Sequence, residues 1–124
     1  MNVIDSSLWL DYFAGTLQND FLAHTIENTA NQYVPSVCIY EVFKKILVLK
    51  GESTAISYVL VMQNAVVINL TPQIAILAAK LGKELGLPMA DSIIYATAKT
   101  MDATVYTQDK HFENLDGVRY FAKP

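Results

Sequence analysis

Ala65-Val66-Val67-Ile68-Asn69-Leu70-Thr71-Pro72 reads as a strand that passes directly into a helix. A short β-branched run of this kind marks a buried strand. Thr71 then offers a cap, and Pro72 suits the first helical position, where its missing N–H has no partner to lose. From Pro72 onward Ile74, Leu77, Ala78, Leu81 and Leu85 recur with a 3.6-residue period until Gly86, the pattern of a helix with one buried face.

The same alternation extends in both directions. Downstream, Met89 to Met101 predicts a helix with Ile93, Ile94, Ala98 and Met101 near one face, followed by a Thr104–Thr107 strand and a last edge strand over Val118–Phe121. Upstream, Val3-Ile4 predicts a strand leading into a helix over Leu8–Phe13 that Gly15 ends. Gln18 to Thr29 predicts a helix with Phe21, Leu22 and Ile26 inward, and Gln32-Tyr33-Val34 a strand closed by Pro35. Ser36 is the expected cap of a helix over Val37–Lys50 that stops at Gly51, with another helix from about Ser53 to Gln63. Strands separated by helices, with near-continuous apolar strand runs, imply a parallel sheet covered on both faces. The expected fold is α/β: a three-layer α/β/α sandwich with a mostly parallel sheet of four to five strands. No linker or repeat divides the chain, so residues 1–124 are expected to form a single domain.

The chain is 52% hydrophobic, with a mean hydropathy of +0.26, yet no apolar run reaches the ~18 residues that a membrane span needs. The surplus apolar surface is read as an interface with a second copy or a partner. No basic stretch followed by an apolar segment opens the chain, and the single cysteine, Cys38, lies in an apolar helical run. Both features suit a cytoplasmic protein, with Cys38 packed in its core. The net charge of −3 is unfavourable for holding a polyanion. Setting four metal-site carboxylates aside takes −3 to +1, so charge alone does not decide the matter.

The acids fall at telling places. Sites in open parallel sheets form beyond the carboxyl ends of the strands. Asp5 follows the first strand, Asp109 follows the Thr104–Thr107 strand, and Asp91 lies in the first turn of a helix. Glu41 stands in an apolar helix between Tyr40 and Val42, where burial without a cation or donors would cost several kcal/mol. Alone, Asp5 also reads as a helix cap, Asp91 as a first-turn aspartate, Asp109 as a turn former and Glu41 as a partner of Lys45. Four acids at one sheet edge would repel one another unless a divalent ion neutralised them. Oxygen ligands without paired His or Cys favour Mg²⁺ or Mn²⁺ over zinc. Such ions can activate water and orient a phosphodiester.

The segments around these acids resemble one family. Val3-Ile4-Asp5-Ser6-Ser7 looks like the opening of PIN domains, and Tyr40-Glu41-Val42 like their helical glutamate. Leu87-Pro88-Met89-Ala90-Asp91-Ser92-Ile93-Ile94-Tyr95-Ala96-Thr97-Ala98 is similar to their most recognisable segment. Thr107-Gln108-Asp109-Lys110-His111-Phe112 matches their strand-end Thr-x-Asp followed by an aromatic. The resemblance is to the VapC-type toxin ribonucleases of type II toxin–antitoxin systems. It implies a central first strand, and Asp5, Glu41, Asp91 and Asp109 as metal-binding catalytic acids, with Ser6 and Thr107 orienting them. It also implies RNA hydrolysis with Mg²⁺ or Mn²⁺, a homodimer, and a cognate antitoxin as silencing partner. His111 stands where many relatives carry another acid, which leaves four.

Lys45, one turn beyond Glu41, is a candidate to hold RNA phosphate. His24 is expected at the surface, and Trp9, Tyr12, Phe13 and Tyr58 in packing or at a partner surface. A phosphoacceptor signalling domain is rejected, because the Val66–Leu70 strand ends in Thr71-Pro72 without an acid. A nuclease of RNA processing or DNA cleavage, or a non-enzymatic binding module on the same scaffold, are the other readings.

Overall fold

The computed structural model describes residues 1–124. Its strands are β1 (Asn2–Ile4), β2 (Tyr33–Pro35), β3 (Val66–Ile68), β4 (Thr104–Thr107) and β5 (Val118–Tyr120). The helices are α1 (Ser6–Ala14), α2 (Asp20–Glu27), α3 (Ser36–Lys50), α4 (Glu52–Met62), α5 (Pro72–Leu85) and α6 (Met89–Thr100).

All strand pairings are parallel. β4 lies between β1 and β5, and β2 pairs with β3. A parallel bridge from Asn2 to Gln32 joins the two sets, giving the order β3-β2-β1-β4-β5 with β1 central. The chain steps outward from β1 to β2 to β3, then returns across the sheet to β4. Right-handed crossovers therefore put α1–α4 on one face and α5–α6 on the other. The α/β fold with a parallel sheet is as the sequence predicts.

The main core gathers Val3, Ile4, Leu8, Trp9, Val34 and Val105 with residues of α2, α3, α4 and α6. Burying a side chain such as Leu8 stabilises the fold by roughly 1.5–3 kcal/mol. Gln32 is fully buried, and its Nε2 donates to the carbonyls of Thr25 (2.7 Å) and Ile26 (2.8 Å), which ties the end of α2 to the start of β2. On the other face α5 and α6 approach closely. A Cβ on Gly82 would lie 3.3 Å from the Cβ of Ser92, so glycine lets α5 seat the first turn of α6.

Several expectations need correction. β3 is an edge strand and not a buried one: Val66 is exposed, and Val67 and Ile68 are half-buried. Phe21 is exposed too, lying over Arg119 while Leu22 and Ile26 turn inward. Leu85 is likewise exposed at the end of α5, whose Ile74 and Ala78 are buried. Ser36 does not cap α3. Pro35 holds the cap position, and the Ser36 hydroxyl accepts the N–H of Leu70 at 3.3 Å. Thr71 does cap α5, accepting from Ile74 N at 3.2 Å.

Candidate metal centre

Parallel pairing brings the chemistry to one sheet edge. Ile4 is in register with Tyr106, so Asp5, the residue after β1, and Thr107, the last of β4, lie side by side. α3 starts directly after β2, which places Glu41 in its second turn at the same edge. α6 runs back to feed β4, so its first turn, carrying Asp91, also lies there. Asp5, Glu41, Asp91 and Asp109 together line one recess of about 330 Å³, with Ser6, Ser7, Leu10 and Lys45 completing its wall.

Asp5 is buried, at 3% exposure. It occupies the cap position of α1 but makes no side-chain cap hydrogen bond. Its Oδ2 instead accepts the hydroxyls of Thr107 (2.8 Å) and Ser7 (2.9 Å), which leaves Oδ1 without either hydroxyl. Glu41 is held by Ser6, whose hydroxyl donates to Oε1 at 2.7 Å, and not by Lys45. Asp109 starts the 3₁₀ turn Lys110–Phe112: its Oδ1 accepts the N–H of His111 at 2.9 Å, and its own N–H donates to Thr107 Oγ1 at 2.9 Å.

Electrostatics bind these acids into one group. Burial pushes the Asp5 carboxyl up to about 6, against the pull of the Thr107 and Ser7 hydroxyls, and the charges of Asp91 and Asp109 add to the rise. Asp91 is raised as well, by burial first and next by Asp109. Carboxylates raised by burial and by neighbouring negative charge lack sufficient positive charge around them. Hard oxygen donors gathered at one recess, with a buried acid presenting a free oxygen, fit a divalent cation such as Mg²⁺ or Mn²⁺.

Two participants escaped the sequence reading. Ser7 stands in the sequence only as the end of the Val3–Ser7 segment, yet it holds Asp5. His111 stands in the sequence only as a departure from the family's acids, but its Nδ1 lies 3.0 Å from Asp91 Oδ2 and 3.3 Å from Asp109 Oδ1. The three side chains offer ligand atoms within 4.8 Å of one another. The signal available was the Asp-x-His spacing across a tight turn after a strand. Cys38 is buried with its thiol pushed up by burial, so it is an inert core group beneath the site. His24 is at the surface. Trp9, Phe13 and Tyr58 pack within the chain, Phe13 and Tyr58 stacking at 4.3 Å between ring centroids.

No helix is long and apolar enough to cross a membrane. No curated protein sequence matches the chain. Solved structures do resemble it. A chain of a toxin–antitoxin complex from Klebsiella pneumoniae superposes with a TM-score of 0.82 at 21% identity, over 99% of this chain and 100% of that one. VapBC from Salmonella typhimurium, solved bound to DNA, gives 0.78 at 16% identity over 98% and 96%. A sarcin–ricin loop cleaving VapC toxin from Mycobacterium tuberculosis gives 0.73 at 14% identity over 90% and 92%. At these identities the likeness is one of fold. The family model of the PIN domain matches residues 3–118, and the chain belongs to that family.

Proposed function

We propose that this chain is a Mg²⁺-dependent endoribonuclease, with Mn²⁺ as an alternative ion, acting in the cytoplasm as the toxin of a toxin–antitoxin pair. Residues 1–124 act as one nuclease unit in this reading. The observation that carries it is the convergence of Asp5, Glu41, Asp91 and Asp109 on one recess, with Asp5 raised by burial and by the charges of Asp91 and Asp109, and Asp91 by burial and by the charges of Asp109 and Glu41. The fold shared with toxin–antitoxin complexes supports the toxin role, and a sarcin–ricin loop cleaving neighbour supports RNA as substrate.

The four acids are the catalytic ligands of the ion. When bound, Mg²⁺ supplies Lewis-acid activation of water and charge neutralisation at the phosphodiester. The protein supplies position. Thr107 and Ser7 fix Asp5, Ser6 fixes Glu41, and Thr107 ties Asp109 to Asp5, so the oxygens are set before substrate arrives. Lys45 at the rim holds a phosphate of the RNA. Hydrolysis adds water across the P–O3′ bond, leaving a 5′-phosphate and a 3′-hydroxyl, and calls for no protein nucleophile.

Exposed apolar side chains on α3 and α4, among them Val48 (79%), Leu49 (63%) and Leu60 (58%), support a covering by a second copy and by the antitoxin. The biological test is overproduction in a bacterial host. Wild type is expected to arrest growth with fragmentation of specific RNAs, and Asp5→Asn to be harmless at equal protein level. Harmless wild type, with intact RNA, would remove the toxin role.

A further inference from the structure

The acid recess does not end at the acids. Past Glu41 and Lys45 it continues into a recess of about 380 Å³ that adds Tyr40, Lys44 and Val48. Past Ser7 and Asp109 it continues into a larger one of about 700 Å³ that adds Gln108, Lys110, Tyr120 and Lys123. The two outer recesses share no lining residue with each other, and each shares two with the acid recess. Two lysines line each of them, so four of the nine Lys and Arg residues border the acids. Of the four only Lys123 has a carboxylate partner, Asp11 at 3.8 Å. An acidic protein of net charge −3 thus sets three lysines without a carboxylate partner, Lys44, Lys45 and Lys110, beside its cluster of four acids.

Resting on the nuclease reading, we propose that these recesses are two phosphate tracks for one single strand of RNA, with the scissile phosphate over the acids between them. Lys44 and Lys45 hold the backbone on one side, and Lys110 and Lys123 on the other. Single-strand grooves combine cations along the backbone with aromatic faces for the bases. Tyr40, 60% exposed at the first track, offers such a face, and Lys44 Nζ lies 3.4 Å from its hydroxyl. Open tracks lined by point charges suit a flexible strand, because they read phosphate and not base sequence.

The test is binding, measured apart from cleavage. Anisotropy of a labelled single-stranded RNA of about 12 nucleotides is followed against salt, with Ca²⁺ in place of Mg²⁺. Variants are Lys44→Ala/Lys45→Ala, Lys110→Ala/Lys123→Ala, and Lys80→Ala/Lys83→Ala on α5 as a control for bulk charge. Each track variant is expected to bind about tenfold more weakly and to lower the log–log salt slope by about 1.4, two contacts at ~0.7 each, while the control matches wild type. RNA binding that survives both track variants, depends on one track only, or weakens equally in the control overturns the proposal and leaves the nuclease reading standing. Equal affinity for a poly-glutamate peptide overturns it in favour of an acidic protein partner. Wild type that binds no RNA overturns the tracks together with the nuclease reading.

Discussion

Thr107 donates its hydroxyl proton to Asp5 at 2.8 Å across 102 positions of sequence, while its oxygen accepts the backbone N–H of Asp109 at 2.9 Å. One side chain thereby sets both the buried acid after β1 and the acid after β4. Thr107→Val keeps the shape but removes both bonds, leaving a buried carboxylate short of a donor. Stability is expected to fall by about 1–3 kcal/mol, and cleavage by about 10- to 100-fold. Thr107→Ser should restore most of each. Urea unfolding and cleavage rates measured on the three proteins check this, and a valine variant with wild-type values would refute the positioning role.

Asp5→Asn should separate stability from function. The amide oxygen can still accept from Thr107 and Ser7, and the variant removes a charge that burial and two neighbouring acids oppose. Without metal its thermal midpoint is expected at or above wild type. Mg²⁺ should raise the wild-type midpoint by ligand linkage and leave the variant's nearly unchanged. Equal Mg²⁺-induced shifts in both proteins would place the ion elsewhere.

Stability in EDTA should also carry the signature of Asp5. Its folded value of about 6 lies above the ordinary 3.8, so the folded protein holds this proton more tightly than the unfolded chain does. The stabilisation is fully present below pH 3.8 and is lost as pH rises through about 6. At ~1.4 kcal/mol per unit the loss amounts to roughly 3 kcal/mol. A cation beside the carboxylate favours its charged form, so Mg²⁺ should flatten the slope. Urea titrations from pH 4 to pH 7, with wild type compared with Asp5→Asn, measure it. Identical pH slopes for the two proteins would contradict it.

Ser6→Ala tests the arm of the site that comes from α3. Its hydroxyl donates to Glu41 Oε1 at 2.7 Å from the first turn of α1. Losing it frees the carboxylate to swing towards solvent. Mg²⁺ affinity is expected to drop about 10- to 100-fold with little change in thermal midpoint. Calorimetric titration decides it, an unchanged affinity meaning that Glu41 needs no such hold.

The sequence carried the acids better than it carried their surroundings. Asp5 and Asp109 were legible because a parallel sheet presents the residues after its strands at one edge, a matter of topology alone. Asp91 and Glu41 were legible as acids on otherwise apolar helices. The burial of β3 was misread because a β-branched run reports extended backbone, whereas its place at the sheet's rim follows from the return of the chain to β4. Phe21 was assigned to the core by its neighbours' periodicity, yet Arg119 covers its ring from the surface. His111 was missed because its meeting with Asp91 depends on a 3₁₀ turn folding against the start of α6, which a local reading cannot see.

The most direct measurement is cleavage of tRNA and mixed RNA by purified wild type and Asp5→Asn, each with Mg²⁺ and with EDTA. Four acids acting through bound Mg²⁺ predict discrete fragments with 5′-phosphate ends from wild type in Mg²⁺, and none in the other three reactions. Fragments of equal yield from Asp5→Asn, or from wild type in EDTA, would contradict the assignment of this recess as the catalytic centre.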